Sequence, residues 1–219
     1  MDFDNALFLG ALPILARAML LNLQLAAAII VLAVLAATVL TLVRAAKWAP
    51  VSAPLDLLIS LVRGTPLLIQ IFICYYALPA IGLNLSPIAA GILAISANSM
   101  IFLSEAMRGG LGSIEPGQVE AATALGLPAS AIWLRVVLPQ LFNRILPVLT
   151  AELTIVVKAT ALLSMITVVE VLRTAQQMSA ATYRPFEHLL AAALVFLLAN
   201  LAIGAAGRVL EARLAAGRA

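Results

Sequence analysis

An all-α integral membrane protein with five transmembrane helices is the fold class that these 219 residues predict. Three observations carry it. Hydrophobic residues make up 64% of the chain and charged residues 11%, against about 45–50% and about 25% in a soluble domain. A chain this apolar cannot cover itself with polar surface in water, and a lipid bilayer removes that requirement. Uncharged runs recur at lengths that let a helix cross about 30 Å of hydrocarbon. The net charge is only +3, and the basic residues punctuate the apolar blocks. They form no stripe interleaved with aromatics, so nucleic acid is not an expected partner.

Residues 1–17 read as an amphipathic lead-in, with Asp2, Asp4 and Arg17 among leucines, able to lie along the membrane interface. The acidic start lacks the basic run, short apolar core and cleavage site of a secretory signal. Span one is the uncharged run Ala18 to Val43. The run from Gly64 to Ser104 is too long for one crossing, and Pro79, Gly82, Asn84 and Pro87 mark a turn within it. Span two is therefore expected near Leu57–Ala80 and span three near Ser86–Met107. Span four runs near Leu141–Met165, interrupted by Glu152 and Lys158, and span five from His188 to Gly207. The membrane domain then covers residues 18–212, and residues 213–219 form a tail.

Lysine and arginine set the direction. Arg44, Lys47, Arg63, Arg108, Arg135, Arg144, Arg208, Arg213 and Arg218 flank one side, and Arg17, Arg173 and Arg184 the other. The heavier side is expected to be cytoplasmic, which puts the N-terminus outside and the C-terminus inside. The longest cytoplasmic connection is then Gly109 to Leu141. Pro116-Gly117 is a turn, and Gln118 to Leu125 is helix-forming. Gly126 can adopt the left-handed conformation that ends a helix, and Pro128 follows such a stop. Ala129 to Val137 predicts a second short helix anchored by Ile132 and Trp133 and ended by Pro139. Such an elbow is a stiff knob suited to a groove on a soluble partner.

Glu120-Ala121-Ala122, then Gly126, then Val136, Leu138 and Pro139 resemble the EAA loop of ABC-importer permeases: EAA, three residues, G, nine residues, I, one residue, LP. Val136 in place of isoleucine is the one departure. Arg63-Gly64-Thr65-Pro66-Leu67-Leu68-Ile69-Gln70 is similar to a signature of polar amino-acid permeases. The stretch Glu105 to Gly110 and then Ser113 to Gln118 looks like the same family's approach to its EAA loop. Lys158-Ala159-Thr160-Ala161-Leu162-Leu163-Ser164 and Tyr183-Arg184-Pro185-Phe186 resemble the histidine, basic amino-acid and opine branch, although Ala159 stands where that branch has serine.

This resemblance implies a permease subunit in a bacterial inner membrane, carrying polar, basic or opine-type amino acids inward. It implies an ATPase-coupling role for the loop of residues 115–140, through Gly117, Glu120, Ala121, Ala122, Gly126, Leu138 and Pro139. It also implies three protein partners. These are a second permease chain, identical or homologous, a cytoplasmic ABC ATPase dimer that holds the ATP and magnesium, and a periplasmic or surface amino-acid-binding protein.

The chain itself offers no catalytic constellation, no phosphate loop and no expected cofactor. The lone Cys74 and lone His188 exclude a disulfide and argue against a metal site; His188 is expected to be interfacial, at the outer edge of span five. Charges within hydrocarbon are costly and normally face a cavity or a partner. Glu105 lies at the end of span three. Glu152 and Lys158 lie deeper, about 240° apart around a helix, so each needs a partner elsewhere. With Asn98, Ser99, Thr160 and Ser164, these residues make spans three and four the expected wall of the substrate pathway. Helix–helix hydrogen bonding is the alternative role. Arg63 with Thr65-Pro66 can kink or cap span two, or anchor it at the cytoplasmic face. A secondary transporter is the main alternative function; its usual larger span count and internal repeats are not evident here.

Overall fold

The computed structural model describes residues 3–45 and 49–216; Asp2, Lys47 and Arg218, used above, lie outside them. The described residues are nearly all helical, with no strand among them. Four helices are long and apolar enough to cross a membrane, and a fifth crossing is available if a bent pair is counted as one.

Helix α1 (Asn5–Ala45) takes in both the expected lead-in and span one as one element. Ala11, Leu15, Met19, Asn22, Ala26, Ile29, Ala33, Ala37 and Leu40 are buried at steps of three and four, one stripe of a helix. Because Ala11 and Leu15 are wholly buried, the lead-in is part of the core. Alanines 26, 33 and 37 give the stripe a shallow profile, which lets α4 and α9 approach closely. Leu20, Val31, Leu35 and Val39 point the other way and are exposed, as side chains facing lipid must be.

Span two departs from the expected single helix. Helix α2 (Ala49–Gly64) and helix α3 (Leu67–Phe72) are separated by Thr65-Pro66, and the chain bends there by 112°. Proline has no N–H to continue the ladder, and it pushes the residue before it out of helical conformation. After α3 the helix widens to a π turn over Ile73–Ala77 and tightens to a 3₁₀ turn over Leu78–Ile81, ending at Gly82 with φ +86°. Helix α4 (Pro87–Gly112) starts as expected: Pro87 occupies the first turn and the Ser86 hydroxyl accepts from the Ala89 amide at 3.2 Å.

Two short helices follow, α5 (Pro116–Ala124) and α6 (Ala129–Ile132). Pro139 does not end the second. A wide π turn at Trp133–Val137, in which the Leu138 amide donates to the Trp133 carbonyl, leads directly into helix α7 (Leu138–Ala159). That turn relieves the clash a proline ring makes with the preceding turn, so residues 129–166 run on as one span, tightening to 3₁₀ over Thr160–Ile166. Helix α8 (Val171–Thr182), in the connection to the last span, was not expected from the sequence. Helix α9 (Pro185–Ala216) closes the bundle against α1, α7 and α8. At the α7–α9 crossing, a Cβ on Gly207 would stand 2.1 Å from Cγ2 of Thr150, so a side chain there would force Thr150 to move. The main core gathers Ile29, Ile71, Ile95, Val156, Val157, Leu163 and Ile166.

Candidate functional site

The connection between α4 and α7 is built as its own small unit. Ile114, Ala122, Ile132 and Val137 are buried against one another, with Leu127 and Val136 packed beside them. Helix α5 ends with the Gly126 amide donating to the Thr123 carbonyl at 2.9 Å and the Leu127 amide to the Ala122 carbonyl at 3.2 Å. Gly126 has φ +74°, the left-handed conformation this double closure needs. The two limbs are tied by Gln140 Nε2 donating to Gln118 Oε1 at 2.6 Å, and the base by Arg144 Nη1 donating to the Ser113 carbonyl at 2.5 Å. Of the residues picked from the sequence, Ala122 faces this core, while Gly117, Glu120, Ala121, Gly126, Leu138 and Pro139 are exposed. Leu125 and Leu134, 80% and 66% exposed, also stand out from the elbow. Both project from a segment packed on its own small core.

A cavity of about 560 Å³ opens between the broken span and α4, with Val148 of α7 at its back. Its polar lining is Arg63, Thr65, Asn98 and Glu105; Val62, Ile101, Phe102 and Ala106 complete the wall. Glu105 is tied at its mouth to Arg44 of α1 at 2.5 Å and to Arg108, and Arg44 also reaches Asp56 of α2 at 3.3 Å. Arg63 is exposed and has no ion-pair partner among the described residues. The cavity thus offers a carboxylate, a free cation and an amide.

The residues expected to form the pathway divide into four groups. Asn98 and Glu105 line the cavity. Ser99 of α4 and Glu152 of α7 are both buried. Lys158 is exposed on α7, as is Ile155. Thr160 and Ser164 are buried away from the cavity.

Thr160 belongs to a network that the sequence did not reveal. Asn22 Nδ2 donates to Thr160 Oγ1 at 2.8 Å and to Glu170 Oε2 at 3.0 Å. The Glu170 carboxylate also accepts the Leu172 and Arg173 amides at 2.9 and 2.8 Å, capping α8. Both Glu170 and Asn22 are wholly buried. Burial pushes the Glu170 carboxyl up, and Asn22 with the two amides draws it partly back. His188, in the first turn of α9, is likewise buried; its Nδ1 sits 2.7 Å from the Arg184 carbonyl.

Residues 30–216 match the family model described as the binding-protein-dependent transport system inner membrane component. The arginine transport system permease protein of Bacillus subtilis (strain 168) is 31% identical over 215 residues, 98% of each chain. A putative glutamine transport system permease protein of Rickettsia bellii (strain RML369-C) is 37% identical over 160 residues, 73% of each chain. Among solved structures, one described as the crystal structure of an amino acid ABC transporter with histidines superposes with a TM-score of 0.87 at 28% identity, covering 97% of this chain and all of that one.

Proposed function

The chain belongs to the binding-protein-dependent inner membrane components, as a permease subunit of an amino-acid ABC importer, and on that premise we propose the following division of labour. The substrate is a polar amino acid with a basic side chain, as the arginine relative and the histidine-bearing structure suggest. The α5–α6 elbow is cytoplasmic and seats on a separate ATPase dimer, which holds ATP and magnesium and performs the hydrolysis. A second permease chain, identical or homologous, completes the pathway. A binding protein delivers substrate to the outer face, where the N-terminus lies.

The self-packed elbow is the observation that carries this reading. Glu120, Leu125 and Leu134 are exposed around a core of Ala122, Ile132 and Val137, so force on the knob moves it as a body. ATP binding draws the two ATPases together and α5 with them. Because α7 continues from the elbow without a break, the motion reaches the spans and shifts the population between inward- and outward-open states.

The cavity supplies the chemistry an amino acid needs. Arg63 is placed to take the carboxylate, and Glu105 with Asn98 the ammonium. Lys158 faces the second permease chain from the exposed side of α7. Labelled arginine uptake by the reconstituted complex with its own binding protein tests the function. Gly126→Pro combined with Glu120→Lys tests the docking: uptake should be lost and the ATPase should no longer co-purify. Normal uptake and co-purification in that double variant would contradict the coupling assignment.

A further inference from the structure

The side chain of Gln70 performs two tasks at the break in span two. Pro66 has no N–H, so the Val62 carbonyl, four residues earlier, lacks its helical donor. Gln70 Nε2 fills that place at 2.7 Å. The same nitrogen lies 3.0 Å from the Thr65 carbonyl and 3.1 Å from Thr65 Oγ1. The Thr65 hydroxyl already gives its hydrogen to the Leu61 carbonyl at 2.9 Å, so toward Gln70 it can only accept. All three neighbours of Nε2 are therefore acceptors, and the orientation of the Gln70 amide is dictated by chemistry.

That orientation passes to the next amide. With its nitrogen committed to the break, Gln70 must present Oε1 to α4, where Asn98 Nδ2 donates to it at 3.3 Å. An amide that points its nitrogen one way points its oxygen the other, and Asn98 lines the cavity. We infer that Gln70 is a positioning residue that fixes Asn98 with its carbonyl oxygen toward the cavity, making Asn98 Oδ1 an acceptor for the α-ammonium of the transported amino acid.

This deepens the cavity assignment proposed above and rests on it. Were Asn98 turned over, its NH₂ would face the ammonium, donor against donor. The break in span two and the polarity of the cavity are thereby one construction: the proline that frees a carbonyl is what locks the glutamine, and the glutamine locks the asparagine.

The test measures equilibrium binding of labelled L-arginine to the whole transporter in nanodiscs, without the binding protein. Competition is with arginine and with its analogue carrying hydrogen in place of the α-ammonium. Gln70→Met frees the Asn98 amide and should weaken arginine about tenfold while leaving the analogue unchanged, since a hydrogen bond to a charged group is at stake. Asn98→Leu should do the same, and the double variant should cost no more than either alone. Gln70→Glu still offers Asn98 an acceptor, so it should keep the preference for arginine over the analogue even as it loses the bond to Val62 and melts earlier. Equal weakening of both ligands in Gln70→Met, or identical selectivity in Gln70→Met and Gln70→Glu, would mean that Gln70 only braces the bend, and would overturn the inference. Labelled uptake by the unaltered complex separates the two levels. Absent uptake sinks the functional reading with the inference, whereas uptake with unchanged arginine binding in Asn98→Leu sinks the inference alone.

Discussion

Asn22 and Glu170, 148 residues apart in sequence, meet inside the protein, with Asn22 Nδ2 donating to Glu170 Oε2 at 3.0 Å and Asn22 Oδ1 accepting the Val171 amide at 3.2 Å. One asparagine thus stitches α1 to the start of α8. Asn22→Leu keeps the volume but strips one donor from a buried carboxylate and the acceptor from a buried amide. The expected loss is about 1–3 kcal/mol. Thermal unfolding of the purified complex checks it, and an unchanged melting temperature would remove the network from the list of stabilising features.

The same carboxyl makes stability depend on pH. Burial holds its folded-state pKa above the ordinary 4.5, so the folded state binds its proton more tightly than the unfolded chain does. The contribution is complete below the unfolded pKa and falls away as pH rises through the raised folded value. Glu170→Gln removes the titration. Melting temperature measured from pH 4 upward should decline less steeply in that variant than in the parent, and parallel curves would contradict the assignment.

Gly207 and Thr150 set the distance between α9 and α7. A Cβ at Gly207 meets Thr150 Cγ2 at 2.1 Å and Thr150 Oγ1 at 2.7 Å. Gly207→Ala should cost about 1–3 kcal/mol by overpacking. Thr150→Ala removes both of those atoms, so the double variant should recover part of the loss. A double-mutant cycle on melting temperature measures the recovery; additive effects would show that the two helices separate freely.

In the α5–α6 elbow, two exposed glycines should respond differently. Neither meets an atom within 4 Å of an added Cβ, but only Gly126 has positive φ. Gly126→Ala should cost about 1–2 kcal/mol of backbone strain and reduce substrate-stimulated ATP hydrolysis, whereas Gly117→Ala should stay within about 0.5 kcal/mol. Hydrolysis assays on the two reconstituted variants make the comparison, and equal activity would detach the elbow's shape from coupling.

What could be read from the chain followed physical periodicity. Uncharged runs such as Ala18–Val43 announce spans because hydrocarbon leaves no alternative, and Gly126-Leu127-Pro128 announces a helix stop because few residues tolerate that backbone. The break in span two was legible in Pro66, but a proline inside an apolar run reads equally as a tolerated one, and the bond that rescues the Val62 carbonyl comes from a side chain. Helix α8 is short and polar enough to pass for a loop. The pairing of Asn22 with Glu170 left no trace, since single polar residues carry no period and their separation in sequence hides their contact. Glu105 was found because its charge sits at a span end; Arg63 was noted as a possible kink or anchor, and its place in the same cavity required the bend.

Residues 129–166 form one span of 38 residues, about 57 Å at the helical rise, and its near end is the elbow itself. The helical ladder widens over Trp133–Val137 and tightens over Thr160–Ile166 without stopping. On the coupling proposed above, a displacement of Ile132 would travel toward Glu152 and Thr160 along a single lever arm.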